Sequence, residues 1–155
     1  MLPIHRFLNV IDATPLVAID LVIENQAGGY LLGCRVNKPA QGFWFVPGGR
    51  IRKNERLDDA FCRIASEELG RTDFRRGDAD LLGVYEHLYD DNFSGRRGIS
   101  THYVVLGYKL RGTIELASLP DSQHTAYRWA SEENIMADAT VHPNTQAYFG
   151  ERFPR

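Results

Sequence analysis

Two adjacent carboxylates, Glu67 and Glu68, stand at a fixed distance from a glycine turn, Gly48-Gly49. Gly49 is followed after five residues by Glu55, after seven more by Arg63, then by Glu67-Glu68 and Gly70. Carboxylates on a helix beside glycine carbonyls can hold a hard divalent cation, because Mg²⁺ takes oxygen ligands and keeps waters that phosphate oxygens can replace. Glycine lets the backbone approach such an ion, since no Cβ intervenes. The ordinary fate of two neighbouring glutamates is an exposed helical charge pair; the spaced glycines and arginine around this pair favour the metal. Arginines add planar, permanently charged forks that match phosphate oxygens, and Arg35 and Arg50 flank the loop and the glycine turn. Asp20 lies inside an apolar run, where an unpaired carboxylate is costly to bury, so it must reach solvent, a cation or donors. Arg35 is a candidate neighbour.

These groups need elements to hold them. Leu57, Ala60, Phe61, Ile64, Ala65 and Leu69 recur at helical spacing and predict one apolar stripe, with Asn54 as N-cap and Gly70 at the C-terminal stop. Steps of about 100° per residue put positions 64, 67 and 68 in one sector of that helix. Upstream, residues 4–12 read as a short amphipathic helix carrying Phe7, Leu8 and Ile11. Residues 15–24 and 30–36 read as a hairpin of two strands joined by a turn. Residues 37–50 form a loop and a brief apolar run. Downstream come a strand over 81–91 that carries His87, a loop over 92–100, an alternating strand over 101–112 and a loop over 119–127. A short strand starting at Arg128, a capping box Ser131–Asn134 opening a helix to about Ala139, and a last helix over 143–153 complete the chain. Intermixed strands and helices predict an α/β fold, a mixed sheet between helical layers.

Composition sets the limits. A chain of 155 residues with 43% hydrophobic and 25% charged content fits one soluble globular domain, residues 1–155. A net charge of −2 gives no case for nucleic-acid binding. No apolar run is long enough to span a membrane. The opening residues, MLPIHRFLNVIDA, lack a basic segment followed by an apolar run, so no secretory signal is expected. Cys34 and Cys62 read as reduced thiols, which points to the cytoplasm.

The Gly49-to-Gly70 spacing resembles the Nudix box, G-x5-E-x7-R-E-U-x-E-E-x-G-U with U aliphatic. Ile64 replaces the first Glu after the arginine, and Arg71 replaces the last aliphatic residue. Beyond the box, TPLVAID, NKPAQGFWFVPGGR, YDDNFSG, THYVVLGY and PDSQHTAYRW are similar to blocks of the GDP-mannose mannosyl hydrolases, a divergent Nudix branch. This resemblance covers about Thr14 to Phe149, and the branch also carries an aliphatic residue where Ile64 stands.

The resemblance implies a Nudix α/β/α fold and Mg²⁺-dependent hydrolysis of GDP-mannose, or GDP-glucose, to GDP and free sugar. Water would attack C1 with inversion rather than attack phosphorus. It implies one Mg²⁺, with Mn²⁺ as a substitute, held by the Gly48 carbonyl, Glu68 and Gln123; Glu67 leaves a second ion open. His124 matches the general base. Arg35 and Arg50 match arginines on the diphosphate. Tyr103 would donate to it, His87 would touch the sugar or diphosphate, and Asp20 would face substrate or orient an arginine. Arg63 has either a catalytic role or a structural pairing with Glu55. The guanine side would involve Leu2, Phe7 and the 37–44 loop, across the interface of a homodimer. The alternatives are a conventional diphosphatase cleaving at phosphorus and a non-catalytic sugar-nucleotide sensor.

Overall fold

The computed structural model describes residues 2–121 and 124–150, with Thr125 through its backbone only. Helix α1 (Ile4–Ala13) buries Leu8 and Ile11 and ends at Thr14, ahead of Pro15. Strands β1 (Leu16–Glu24) and β2 (Gly29–Arg35) form the expected hairpin, and Asn25 Oδ1 accepts the Gly29 N–H at 2.8 Å to close its turn. The 37–50 segment supplies two short strands, β3 (Trp44–Phe45) and β4 (Gly48–Arg50). Helix α2 (Leu57–Leu69), β5 (Asp80–Tyr89), β6 (Thr101–Arg111), β7 (His124–Ser131), α3 (Glu132–Ala137) and α4 (Pro143–Gln146) follow.

The described strands form one mixed sheet in the order β3-β2-β1-β6-β5, with β4 added on β1 and β7 on β2. β1 and β6 run parallel from Leu16↔Tyr103 to Glu24↔Arg111. β1 also divides its other edge. Its C-terminal end meets β2 at Glu24↔Tyr30, while its N-terminal half pairs β4 at Ala18↔Arg50, Ile19↔Gly49 and Asp20↔Gly48. The glycine turn is therefore part of the sheet.

Alternation along β1 sorts its side chains into two cores. Ile19, Leu21 and Ile23 pack with Ala60, Phe61, Ile64, Ala65 and Leu69 of α2. On the opposite face Val22 and Leu32 pack with Ile135 of α3 and with Val141, Tyr148 and Phe149. This is the predicted mixed sheet between helical layers.

Four local expectations change. Asn54 does not cap α2: its backbone is left-handed (φ 66°), and the helix starts after Arg56. The 52–55 segment closes on itself instead, with Glu55 Oε2 accepting the Arg52 N–H at 2.9 Å. Leu57 is 39% exposed and lies outside the buried stripe. β7 begins at His124 rather than at Arg128, because the polar 124–127 stretch pairs its backbone with β2. α3 ends at Ala137 and α4 is a single turn to Gln146; residues 151–153 of the expected last helix lie outside the described residues. Two caps match the sequence. Ser131 accepts the Asn134 N–H at 3.1 Å, and Gly70 closes α2 in the left-handed conformation (φ 65°).

The 90–100 loop is built around Asn92, which is fully buried. Its amide donates to the carbonyls of Arg96 and Ile99, both at 2.8 Å, and its oxygen accepts from Ser94 Oγ at 2.7 Å and the Ser94 N–H at 3.1 Å. Phe93 projects from this loop onto Phe7 of α1, ring centroids 5.3 Å apart.

Candidate active site

A cleft of about 280 Å³ opens over the ends of these strands. Its walls include Asp20 of β1, Arg35 of β2, Phe45 of β3, Gly48, Gly49 and Arg50 of β4, Glu67 and Glu68 of α2, His87 of β5, Tyr103 of β6 and His124 of β7. Nine of the side chains singled out in the sequence thus meet in one place: Asp20, Arg35, Arg50, Arg63, Glu67, Glu68, His87, Tyr103 and His124. Phe7 and the 37% exposed Leu2 are not among the lining residues; Phe7 instead carries the Arg50 guanidinium over its ring at 4.5 Å. Gln123 lies outside the described residues.

Helix α2 separates three positions that the sequence groups. Ile64 is buried in the core against Gly49, where an added Cβ would lie 3.1 Å from Ile64 Cγ1. Glu68, one turn on, is buried at the cleft wall. Glu67 is exposed and shared between Arg52 (3.3 Å) and Arg63 (2.9 Å).

The three arginines also separate. Arg63 is committed: Nε and Nη2 bind the Glu55 carboxylate at 2.6 and 2.9 Å, Nη2 donates to the Arg50 carbonyl at 2.8 Å, and Nη1 binds Glu67. The guanidinium beside Glu55 holds that carboxyl down at about 2. Arg63 therefore pins the glycine turn to α2. Among the described residues Arg35 and Arg50 have no carboxylate partner. Arg35 Nε donates to the Pro39 carbonyl at 3.1 Å and its guanidinium lies 5.6 Å from the Phe45 ring. Arg63→Ala is expected to cost about 1–3 kcal/mol, because it strands the partly buried Glu55 carboxylate. Arg50→Ala should cost under about 1 kcal/mol, since it breaks no ion pair. Urea denaturation of the two variants checks the contrast.

Desolvation dominates the electrostatics. It pushes the carboxyls of Asp20 and Glu68 up to about 7, and the imidazoles of His87 and His124 down to about 4. Arg35 works against the rise at both acids, and Glu67 and Asp20 add to it at Glu68. Burial also raises Tyr103. His87 Nε2 has no hydrogen-bond partner among the described residues. His124 is buried, with Nδ1 at 3.4 Å from the Tyr127 hydroxyl.

His124 is placed by β-pairing. It lies opposite Arg35, and the β2–β7 register shifts between Gly33 and Arg35. A bulge of this kind re-aims side chains, and both residues line the cleft. The imidazole rests directly on Gly33, where an added Cβ would come within 2.6 Å of His124 Cδ2. Gly33→Ala is therefore expected to displace the ring and to destabilise the fold by about 1–3 kcal/mol. A thermal melt together with an activity assay tests this.

The oxygen donors suit a hard divalent ion. Glu68 is buried beside the negative charges of Asp20 and Glu67, a combination that a cation relieves. Gly48 has no room for a side chain, since a Cβ there would meet Asp20 Oδ1 at 2.1 Å. Among the described residues no three His, Cys, Asp or Glu side chains group as a metal site. The Gly48 carbonyl, Glu68 and Gln123 set includes a single such side chain.

Sequence reasoning missed Tyr148, whose hydroxyl donates to Asp20 Oδ2 at 2.6 Å from 128 positions away. It also gave no role to Tyr89 on the cleft wall or to His142, which stacks on Phe45 at 4.7 Å. Aromatic type alone does not separate these residues from core.

The NUDIX domain model matches residues 14–153. The chain belongs to the Nudix hydrolase family. Members of this family generally use divalent metal ions such as Mg²⁺. The chain is 43% identical over 129 residues to the low-salt glycan biosynthesis protein Agl8 of Haloferax volcanii, covering 80% of this chain and 76% of that protein. Its fold is similar to the MutT protein of Methanosarcina mazei (TM-score 0.69, 21% identity, 88% and 92% of the two chains). It is also similar to a MutT Nudix hydrolase of Burkholderia pseudomallei (TM-score 0.66, 25% identity, 87% and 95%).

Proposed function

We propose that this Nudix protein hydrolyses GDP-mannose, or GDP-glucose, to GDP and free sugar, with water attacking C1 and inverting it. One arrangement carries this reading. A neutral imidazole, His124, shares a cleft with Glu68 and with two arginines that have no carboxylate partner, while Ile64 removes the carboxylate from the preceding turn of α2. The similarity to a glycan biosynthesis protein fits a sugar nucleotide as substrate.

Arg35 and Arg50 bind the diphosphate through their forked donors, and the Tyr103 hydroxyl adds a donor. A divalent ion held by Glu68, the Gly48 carbonyl and Gln123 would neutralise charge on the departing GDP, with Mn²⁺ able to replace Mg²⁺. His124 accepts the proton of the attacking water. In the substrate-free cleft it is a weak base; an anionic diphosphate beside it raises its basicity. His87, buried in the wall, offers Nε2 to the sugar or diphosphate. The buried Ile64 and the ion-paired Glu67 fit one ion rather than two.

A homodimer with Leu2 and Phe7 on the guanine side belongs to the same reading, supported by the exposed Leu2 and Ile4 of the N-terminal segment. Sedimentation tests the dimer. A cytoplasmic location is likewise proposed; Cys34 and Cys62 are free thiols, and among the described residues no helix is long and apolar enough to cross a membrane.

Product analysis in ¹⁸O-water with Mg²⁺ tests the reaction. GDP plus sugar labelled at C1 is expected. GMP plus mannose 1-phosphate would place the attack at phosphorus and overturn the reading, and tight binding without product would make the protein a sensor.

A further inference from the structure

Asp20 sits between two glycines. Its register partner on β4 is Gly48 and its partner on β6 is Gly107. The space left by the missing side chains is filled in two different ways. Over Gly48 lies Asp20's own Oδ1, 2.1 Å from where a Cβ would stand. Over Gly107 lies the Tyr148 ring, whose Cε1 is 2.7 Å from the corresponding Cβ position. Tyr148 is 1% exposed and packs edge-on against Tyr85, centroids 4.6 Å apart. It reaches across Gly107 from the turn after α4 and donates its hydroxyl to Asp20 Oδ2 at 2.6 Å.

A phenylalanine would fill the same space over Gly107. What the hydroxyl adds is a hold on one oxygen of Asp20, while the other is wedged at Gly48. Asp20 and Arg35 line the same cleft and act on each other through space, yet no direct salt bridge joins them.

We propose that Tyr148 is a positioning residue that holds Asp20 away from Arg35, so that the Arg35 guanidinium stays open to a nucleoside diphosphate. It touches no substrate and acts through Asp20. The proposal rests on the diphosphate-binding reading of the cleft. It adds a cause for that cleft's readiness: a carboxylate that would otherwise neutralise the arginine is tied back from the far layer of the fold.

The test is a cycle of Tyr148→Phe, Asp20→Asn and the double variant, read by calorimetry of GDP with Mn²⁺ and by steady-state kinetics with GDP-mannose. In Tyr148→Phe the released Asp20 pairs with Arg35, and GDP·Mn²⁺ affinity falls about tenfold, with KM rising in step and kcat changing less than about threefold. Asp20→Asn removes the competing charge and binds GDP·Mn²⁺ at least as tightly as the parent. The double variant recovers the affinity that Tyr148→Phe lost, a rescue that mere loosening of the core does not give. Parental affinity in Tyr148→Phe, weaker binding in Asp20→Asn, or no recovery in the double variant each overturns the proposal. Should Tyr148→Phe fail to fold, the Asp20→Asn affinity alone decides. If the parent binds GDP·Mn²⁺ but turns over no GDP-sugar, the hydrolase reading falls while the binding cycle still judges Tyr148.

Discussion

His124→Gln is expected to lower kcat for GDP-mannose by about 10²–10⁴-fold, the usual range for losing a positioned general base. KM should change little, because the proposed diphosphate contacts belong to Arg35 and Arg50. The glutamine amide can occupy part of the space over Gly33, so the fold should survive, and a thermal melt run beside the kinetics checks that. The pH dependence gives an independent reading. Burial holds the folded imidazole at about 4, below the ordinary 6.5, so the unfolded chain binds more protons than the folded one between those values. His124 therefore withdraws stability as pH falls from 6.5 through about 4, and His87 does the same. His124→Gln should flatten this acid loss, leaving the share of His87. Unchanged turnover in the variant would remove His124 from the mechanism.

Glu68→Gln should move stability and activity in opposite directions. Desolvation raises the folded carboxyl from 4.5 to about 7, so its charged form is penalised in the fold. The sign is set by proton binding: between 4.5 and about 7 the folded state holds the proton and the unfolded state has lost it. The penalty is absent below 4.5, grows as pH rises and is complete above about 7. Without added metal, Glu68→Gln should thus be more stable than the parent at pH 8, by about 2–3 kcal/mol, with no gain at pH 4. Its Mg²⁺-supported turnover should fall at least about 100-fold, since an amide is a poor replacement for an anionic ligand. Urea melts at the two pH values and a Mg²⁺ titration of activity check both halves. A variant that loses stability at pH 8 would show that the contacts of the Glu68 carboxylate outweigh the cost of its burial.

The box helix, the hairpin and the stop at Gly70 are legible in the sequence because each depends on neighbours within a few turns. Hydrophobic spacing tells which side of α2 is buried, and it puts Glu68 near the glycine turn. It does not separate Glu68 from Glu67, since a carboxylate facing solvent and one facing a cleft have the same local pattern. The arginines show the same limit. Arg35, Arg50 and Arg63 are alike as residue types, and only folded geometry commits Arg63 to Glu55, Glu67 and the Arg50 carbonyl. β7 starts four residues early because strand pairing satisfies backbone groups whatever the side chains, and 124–127 has no apolar alternation to announce it. Tyr148 and Asp20 meet across almost the whole chain, beyond the reach of any periodicity.

The loop around Asn92 has a thermodynamic consequence. Its internal hydrogen bonds hold residues 92–99 in one arrangement, and Phe93 anchors it on Phe7, directly beneath Arg50. The configurational entropy of these residues is lost when the chain folds, not when a ligand arrives. Ordering a backbone residue costs about 1–2 kcal/mol. On the proposed reading, a diphosphate reaching Arg50 meets a guanidinium already backed by Phe7 and this loop, so that their attraction appears as affinity instead of being consumed in stiffening the support.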